Sequence, residues 1–420
     1  MTSLFDSSGV TPPPVVIIGA GAAGLMAAIF ARAAGYHVVL VDGTTDGGRK
    51  ILISGGGRCN VLPHALEPER FVTASSPVTL RRMLRSWPLR DQIAFFERDL
   101  GVLLALEAES RKYFPASNRA RDVRDALVNR ARQDGVECRF GERVTDVTRA
   151  GAGWRVETTA GAVDASTVIV ATGGLSVPAT GSDGIGFTIA RQFGHTIHQT
   201  FPALTPLTLN PPEHARLSGL SLDVRIRARA QGRLTEATGG FLFTHRGYSG
   251  PAVLDISHVA VLSAQMAEPA SIRVQWTPRT ADQWASALQT TRGTLLNVVA
   301  EVIPERLAEV LIGEAGIAQN RRMAELKRSE RHALVERLTA YPLEWSGDEG
   351  YRKAEVTGGG VSLDEVDPTT GESRLAPGLF FCGEVLDAFG PIGGHNFAWA
   401  WATGRMAGQA AARHGAAPSH

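Results

Sequence analysis

The stretch Gly19-Ala20-Gly21-Ala22-Ala23-Gly24 constrains this chain more than any other, because of what flanks it. Val15-Val16-Ile17-Ile18 precedes it, a wholly apolar, β-branched run of the kind buried on both faces of a parallel sheet. Ala22 to Ala34 follows as an Ala-rich helical pattern that Gly35 stops. His37 to Val41 then reads as a second buried strand. Between strand and helix, each glycine of G-x-G-x-x-G has a physical task. The first permits the tight turn, the second lets backbone approach a pyrophosphate, and the third allows close helix–strand packing. The helix N-terminus adds N–H donors and a positive dipole end. Asp42 closes the second strand at about the 20-residue spacing of an acid that accepts from a ribose hydroxyl. An acid there repels a 2′-phosphate and so argues against NADP as the resident ligand, while NAD and FAD remain equally compatible with this unit.

Glycine is abundant, 46 of 420 residues, above the typical ~7%. With 44% hydrophobic residues and no short repeat, collagen-like and low-complexity explanations fail. Half of the glycines fall in four windows, 19–57, 173–186, 358–360 and 383–404, where backbone would have to approach a ligand closely. Lys and Arg total 43 against 42 Asp and Glu, a net charge of +1, so the overall balance does not suggest a polyanion and no nucleic acid is expected as partner. Cys59, Cys138 and Cys382 form neither a CxxC pair nor a Cys/His cluster. That removes support for a disulfide framework, a dithiol centre or a metal site, and fits a reducing cytoplasm. The first apolar stretch is interrupted by glycines and Arg32, which suits neither a signal peptide nor a membrane span.

Further along, residues 1–13 read as a proline-bearing disordered lead-in. Helical spacing is expected at Leu89 to Leu100 and Val123 to Ala131, followed by short strands near 137–140, 143–148, 154–158 and 167–171. After Gly194, the segments 204–209, 220–228 and 241–244 look like antiparallel strands, 281–340 is helical, and the chain returns to Gly-rich loops before a final Ala-rich helix, 396–413. The expected architecture is α/β: a discontinuous Rossmann-like domain from 14–195 and 357–420, a β-rich domain from 196–280 and 341–356, and a helical insertion at 281–340.

The loop Gly48-Arg49-Lys50-Ile51-Leu52-Ile53-Ser54-Gly55-Gly56-Gly57-Arg58-Cys59-Asn60 combines three cations with three successive glycines. Such a loop either wraps phosphates or a polar ring edge, or is a mobile basic surface loop. Taken with the dinucleotide turn before it, this stretch resembles the signature of the BaiN-type (YhiN-like) NAD(P)/FAD-dependent oxidoreductases, which include aminoacetone oxidase. The resemblance continues through 170–176, 180–184, 243–251, 354–361, 378–387 and Gly393-Gly394-His395-Asn396. It implies FAD bound by Asp42 at the ribose, by Gly48, Arg49, Lys50 and Ser54 to Asn60 in a flavin-contacting loop, by Ala171-Thr172-Gly173-Gly174, and by Gly383 and Glu384 at a second turn. Gly19, Ala20, Gly21, Ala23, Gly24, Val144, Gly394, His395, Asn396 and Phe397 complete the expected cofactor set. His395 stands where the family commonly has Tyr, and Gly43 where it often has Lys.

Arg58, Tyr248 and His395 are the candidates for orienting substrate or moving a proton. Ordinary alternatives stand beside these roles: His395 as a helix-cap residue, Tyr248 and His245 as turn residues, and Cys59 as packing rather than a reactive thiol. Only one complete fingerprint follows a strand, so NAD(P)H, if used, would bind transiently in the substrate cleft. The expected function is hydride exchange between flavin N5 and a small organic substrate, as a reductase or an O2-linked oxidase. The competing class is a non-enzymatic flavin-binding module that docks partners through its helical insertion. Flavin-dependent RNA modification would require a coherent basic surface.

Overall fold

The computed structural model describes residues 13–264 and 266–414, so the lead-in expected before Pro13 lies outside the described residues. Two compact units emerge: one combines the chain up to Thr200 with the chain from Val356 onward, and the other spans Phe201–Glu355.

In the first unit, β1 (Val15–Ile18), β2 (Val38–Asp42), β3 (Glu137–Phe140) and β4 (Thr167–Val170) join Leu379–Phe381 in a parallel sheet. Its order is Leu379–Phe381, β4, β1, β2, β3. Val15 and Ile17 enter one apolar cluster and Val16 and Ile18 another, on opposite faces of the sheet. Burial on both faces explains why β1 is apolar throughout instead of alternating. Helix α1 (Ala22–Ala33) follows the Gly-rich turn, ends at Ala34, and reverses through Gly35, whose φ is +94°.

The C-terminal helix, His395–His414, lies against α1 at unusually close range. A Cβ on Gly404 would stand 2.3 Å from the Ala23 carbonyl oxygen, and one on Gly408 2.3 Å from that of Ala27. Two glycines four residues apart thus let one helix backbone rest on the other. This contact ties both ends of the sequence into one cofactor-binding unit.

The second unit is built on a seven-stranded antiparallel sheet. Its centre is formed by β5 (Ser221–Ala230), β6 (Arg233–Phe243) and β7 (Ser271–Gln275), in the order β7-β5-β6. Val224, Ile226, Ala228, Ile272 and Val274 point inward and are buried, while the residues between them face outward. The helices within 281–340 share this core through Trp284, Leu295, Leu307 and Leu338. The helical segment is therefore part of the second unit's core.

Several element limits moved. The strand expected at 204–209 shrinks to Leu207–Thr208, where Pro206 lacks an N–H and Leu204 has a φ of +54°. The helix expected through Leu100 becomes Leu89–Ala94 followed by a π-turn at Phe95–Asp99. Strand β6 begins at Arg233 rather than 241, because its inward positions Arg233, Thr235 and Gly239 are not apolar and conceal the alternation.

Candidate cofactor and active site

The site lies at the carboxyl edge of the parallel sheet, where β1, β2, β4 and Leu379–Phe381 end in glycine-bearing turns. A Cβ on Gly19 would stand 2.6 Å from the Ala171 carbonyl oxygen, and one on Gly24 1.8 Å from that of Gly19. These glycines make the turn possible. Gly21 differs: it N-caps α1, has no side-chain cap, and a Cβ there would meet nothing within 4 Å. An uncapped helix N-terminus beneath open space suits a pyrophosphate.

Asp42 braces this turn. Its Oδ2 accepts from the Ala20 N–H at 2.6 Å, and its Oδ1 accepts from the Thr44 N–H at 2.7 Å and the Thr44 hydroxyl at 2.5 Å. Carboxylate lone-pair capacity remains for a ribose hydroxyl. The loop beyond turns on Gly47 and Gly48, with φ +65° and +64°, and the Gly48 N–H donates to the Ala20 carbonyl at 2.8 Å.

The cations of this loop diverge. Arg49 binds Asp46 at 2.9 Å. Arg58 reaches Glu107 at 2.8 Å and Asn118 at 3.0 Å, with its guanidinium 3.9 Å from the Phe114 ring centroid. Lys50 instead joins a four-residue cluster, donating to Glu384 Oε2 at 2.7 Å and to the Ser176 hydroxyl at 2.8 Å. The other Glu384 oxygen accepts from Ser176 at 2.7 Å and from the Thr357 N–H at 3.0 Å. Thr357 Oγ1 accepts from the N–H groups of Leu175 and Ser176. Gly174 is required here, since its Cβ would fall 2.3 Å from Thr357 Oγ1. The cluster therefore stitches the turns 171–176 and 383–385 to the start of the strand Val356–Val361.

Ser54 donates its hydroxyl to the Ile51 carbonyl at 2.8 Å. Gly55, Gly56 and Gly57 all have positive φ, and the buried Asn60 Oδ1 has no hydrogen-bond partner. That orphaned acceptor, within the glycine loop, marks a place where a polar ligand group fits. Cys59 is wholly buried, and burial raises its thiol pKa to about 12. It is a packing residue and not a reactive thiolate at neutral pH. Gly383 turns with φ +77°, while Trp399 donates its indole N–H to the Gly383 carbonyl at 3.0 Å.

His395 opens the C-terminal helix behind Gly393 and Gly394, at φ +97° and +96°. It is only 6% exposed, and burial lowers its pKa to about 4, so the ring is neutral. Its Nδ1 lies 3.3 Å from the Ile392 carbonyl, while Nε2 is buried without a partner. Asn396 clamps the turn before the helix through the Gly390 N–H and carbonyl, and Phe397 stacks on Trp401 at 5.2 Å. Val144 is buried at the start of the strand Val144–Ala150.

Tyr248 belongs to the second unit. It is wholly buried against Phe241 and Phe243, and its hydroxyl lies 2.9 Å from His214 Nδ1. Burial pushes its phenol pKa upward, which leaves it poorly suited to proton transfer. His245, only three residues earlier, is exposed and lines an open cleft of about 1030 Å³ with Asn210, Arg246, Asp348 and Lys353. Ser176, Thr357 and Thr44 were not singled out from sequence, although Ser176 and Thr357 lie inside quoted motif blocks. Hydroxyls within glycine turns were the available signal.

Among the described residues, no group of three or more His, Cys, Asp or Glu stands ready for a metal, and no helix is long and apolar enough to cross a membrane. The cradle's polar groups are N–H, hydroxyl, carboxylate and ammonium groups, a set that fits a dinucleotide with a polar ring edge.

Fold and cradle together define a dinucleotide-binding flavoprotein, an FAD-dependent oxidoreductase. The chain belongs to the HI0933-like protein Rossmann domain family, whose model matches residues 13–410. It is 34% identical to the ribosomal RNA dihydrouridine synthase of Escherichia coli over 92% of this chain and 94% of that protein. It is 33% identical to the 3-dehydro-bile acid delta(4,6)-reductase of Clostridium scindens, over 94% and 98% of the two chains. Among solved structures, the Mycobacterium smegmatis Sdh1 complex in the apo form aligns over 97% of this chain and 69% of that chain, with TM-score 0.50 and 17% identity, a likeness of fold alone.

Proposed function

We propose that the protein is a reductase that adds two hydrogens across a carbon–carbon double bond conjugated to a carbonyl. One observation carries the direction: two relatives spanning nearly the whole chain are both named for saturating such a bond, one in a uridine base and one in a 3-keto bile acid. Bound FAD supplies hydride chemistry at N5. The chain's task is to hold it, exclude water and orient the acceptor.

The residues divide that work. The N-terminus of α1 beneath Gly21 takes the pyrophosphate, Asp42 takes the adenosine ribose, and the Lys50–Glu384–Ser176–Thr357 cluster fixes the turns along the ribityl chain. The N-terminus of the C-terminal helix, at Gly394 to Asn396, offers N–H donors and dipole to the flavin edge that gains negative charge on reduction. Neutral His395 contributes no charge there. NAD(P)H is a transient co-substrate, since among the described residues the other sheets are antiparallel or, in one two-stranded case, too small for a second dinucleotide fold. Three free cysteines fit a reducing cytoplasm.

The test is anaerobic. NADH or NADPH should bleach the flavin, and 2-cyclohexen-1-one, a small enone, should restore its absorbance. Flavin bleached by small amines but by neither nicotinamide would assign an oxidase. Flavin bleached by none of them would assign a binding module.

A further inference from the structure

Outward-facing residues of the second unit's sheet are arginine-rich to a degree that its stability does not explain. Along β5, the alternate positions Arg225, Arg227 and Arg229 are exposed on one face, while Arg233, where the hairpin opens into β6, pairs with Ala230 on the other face. Arg227 lies directly opposite Arg273 on β7. Like charges directly across a ladder are destabilising.

Neutralisation is incomplete. Glu236 lies 2.6 Å from Arg227 and 3.6 Å from Arg225, serving both, and Arg273 has Glu336 at 3.8 Å. Among the described residues, Arg229 on this face has neither an ion pair nor a side-chain hydrogen bond. Asp223 lies further along β5 on the same face. Four arginines thus face Glu236, which two of them share, the more distant Asp223, and Glu336, in a chain whose net charge is only +1.

Alternate residues of a strand repeat at about 6.6 Å, so the row Arg225-Arg227-Arg229 is a linear ladder of cations. The remaining outward positions on these strands carry no aromatic side chain, being small, polar or, at Leu234 and Leu242, aliphatic. A surface with guanidinium groups in a row and no stacking ring suits phosphates and not bases.

We propose that the outward face of β5, β6 and β7 is a docking surface for the sugar–phosphate backbone of an RNA strand. The proposal rests on the reductase assignment and narrows its acceptor to a base carried in RNA. The ladder supplies affinity without sequence preference, and selection of the base is left to the active site. The near-neutral overall charge conceals this surface because the arginines are concentrated on one face.

The test uses the full-length holoprotein and a fluorescein-labelled 20-nucleotide oligouridylate, read by fluorescence anisotropy from 50 to 200 mM KCl. Four arginines engaging four phosphates predict an about 50-fold loss of affinity across that range, at about 0.7 in logarithmic slope per contact. R227Q/R229Q/R273Q should retain only an about 3-fold salt effect, and E236Q should bind more tightly than the parent. Unchanged flavin absorbance confirms that the variants fold. A parent that does not bind at 50 mM, or a triple variant with the parent's affinity and slope, would overturn the surface. Flavin reoxidation by 2-cyclohexen-1-one reports separately on the reductase assignment: the triple variant should match the parent there. Failure of the parent in that assay would sink the reductase assignment and not the measured RNA binding.

Discussion

Burial of His395 makes a quantitative prediction about pH. With the side chain 6% exposed, loss of solvation holds its pKa near 4, against an ordinary value of 6.5. Nearby Arg70 and Lys112 push in the same direction, opposed by the Ile392 carbonyl and Glu67. Below pH 6.5 the unfolded imidazole binds a proton that the folded one refuses, so stability from this site is complete above pH 6.5 and is lost as pH falls towards 4. At about 1.4 kcal/mol per pH unit, the full loss is about 3 kcal/mol. His195 and His258, also lowered by burial, contribute in the same window, so a difference measurement is needed. Urea unfolding of the parent and H395F at half-unit steps from pH 7.5 to 4.5 provides it. H395F should show a shallower decline, by about 2–3 kcal/mol over that interval. Parallel curves, or an NMR titration placing the parent imidazole near 6.5, would refute the burial argument.

Other substitutions test other parts of the site. Asp42→Ala removes the acceptor for the Ala20 and Thr44 N–H groups as well as the ribose partner, and should weaken FAD binding by at least about 10-fold; flavin-fluorescence quenching in the apoprotein measures it. Gly24→Ala places a methyl against the Gly19 carbonyl and should cost about 1–3 kcal/mol, read as a lower melting temperature and poor flavin retention. Tyr248→Phe leaves buried His214 Nδ1 without its hydroxyl partner and should cost about 1–3 kcal/mol without slowing flavin reduction by NAD(P)H; slower reduction at full occupancy would restore Tyr248 as a participant. Cys59 should resist iodoacetamide in the native protein at pH 8 and react only on unfolding.

The first turn of the fold was legible because its determinants are local. Val15 to Ile18, three spaced glycines and an Ala-rich run each specify their own conformation, and Asp42 follows at a fixed interval. The Lys50–Glu384–Ser176–Thr357 cluster was only half legible, since residues from four distant segments meet through the tertiary fold. Tyr248 read as a candidate for substrate contact, or else as a turn residue, because glycines flank it. Pairing of Leu207 and Phe243 with Tyr248 places it instead in an aromatic core. The arginine ladder was hidden differently: whole-chain charge averages over faces, and β6 was too polar to be traced to its start.

Anaerobic reoxidation of the reduced flavin tests the central claim most directly. Holoprotein bleached by NADH or NADPH should recover its absorbance when an oxygen-free conjugated enone or a uridine-containing RNA is added, in proportion to the saturated product formed. Flavin that stays bleached with these acceptors and recovers only when air is admitted would contradict the assignment.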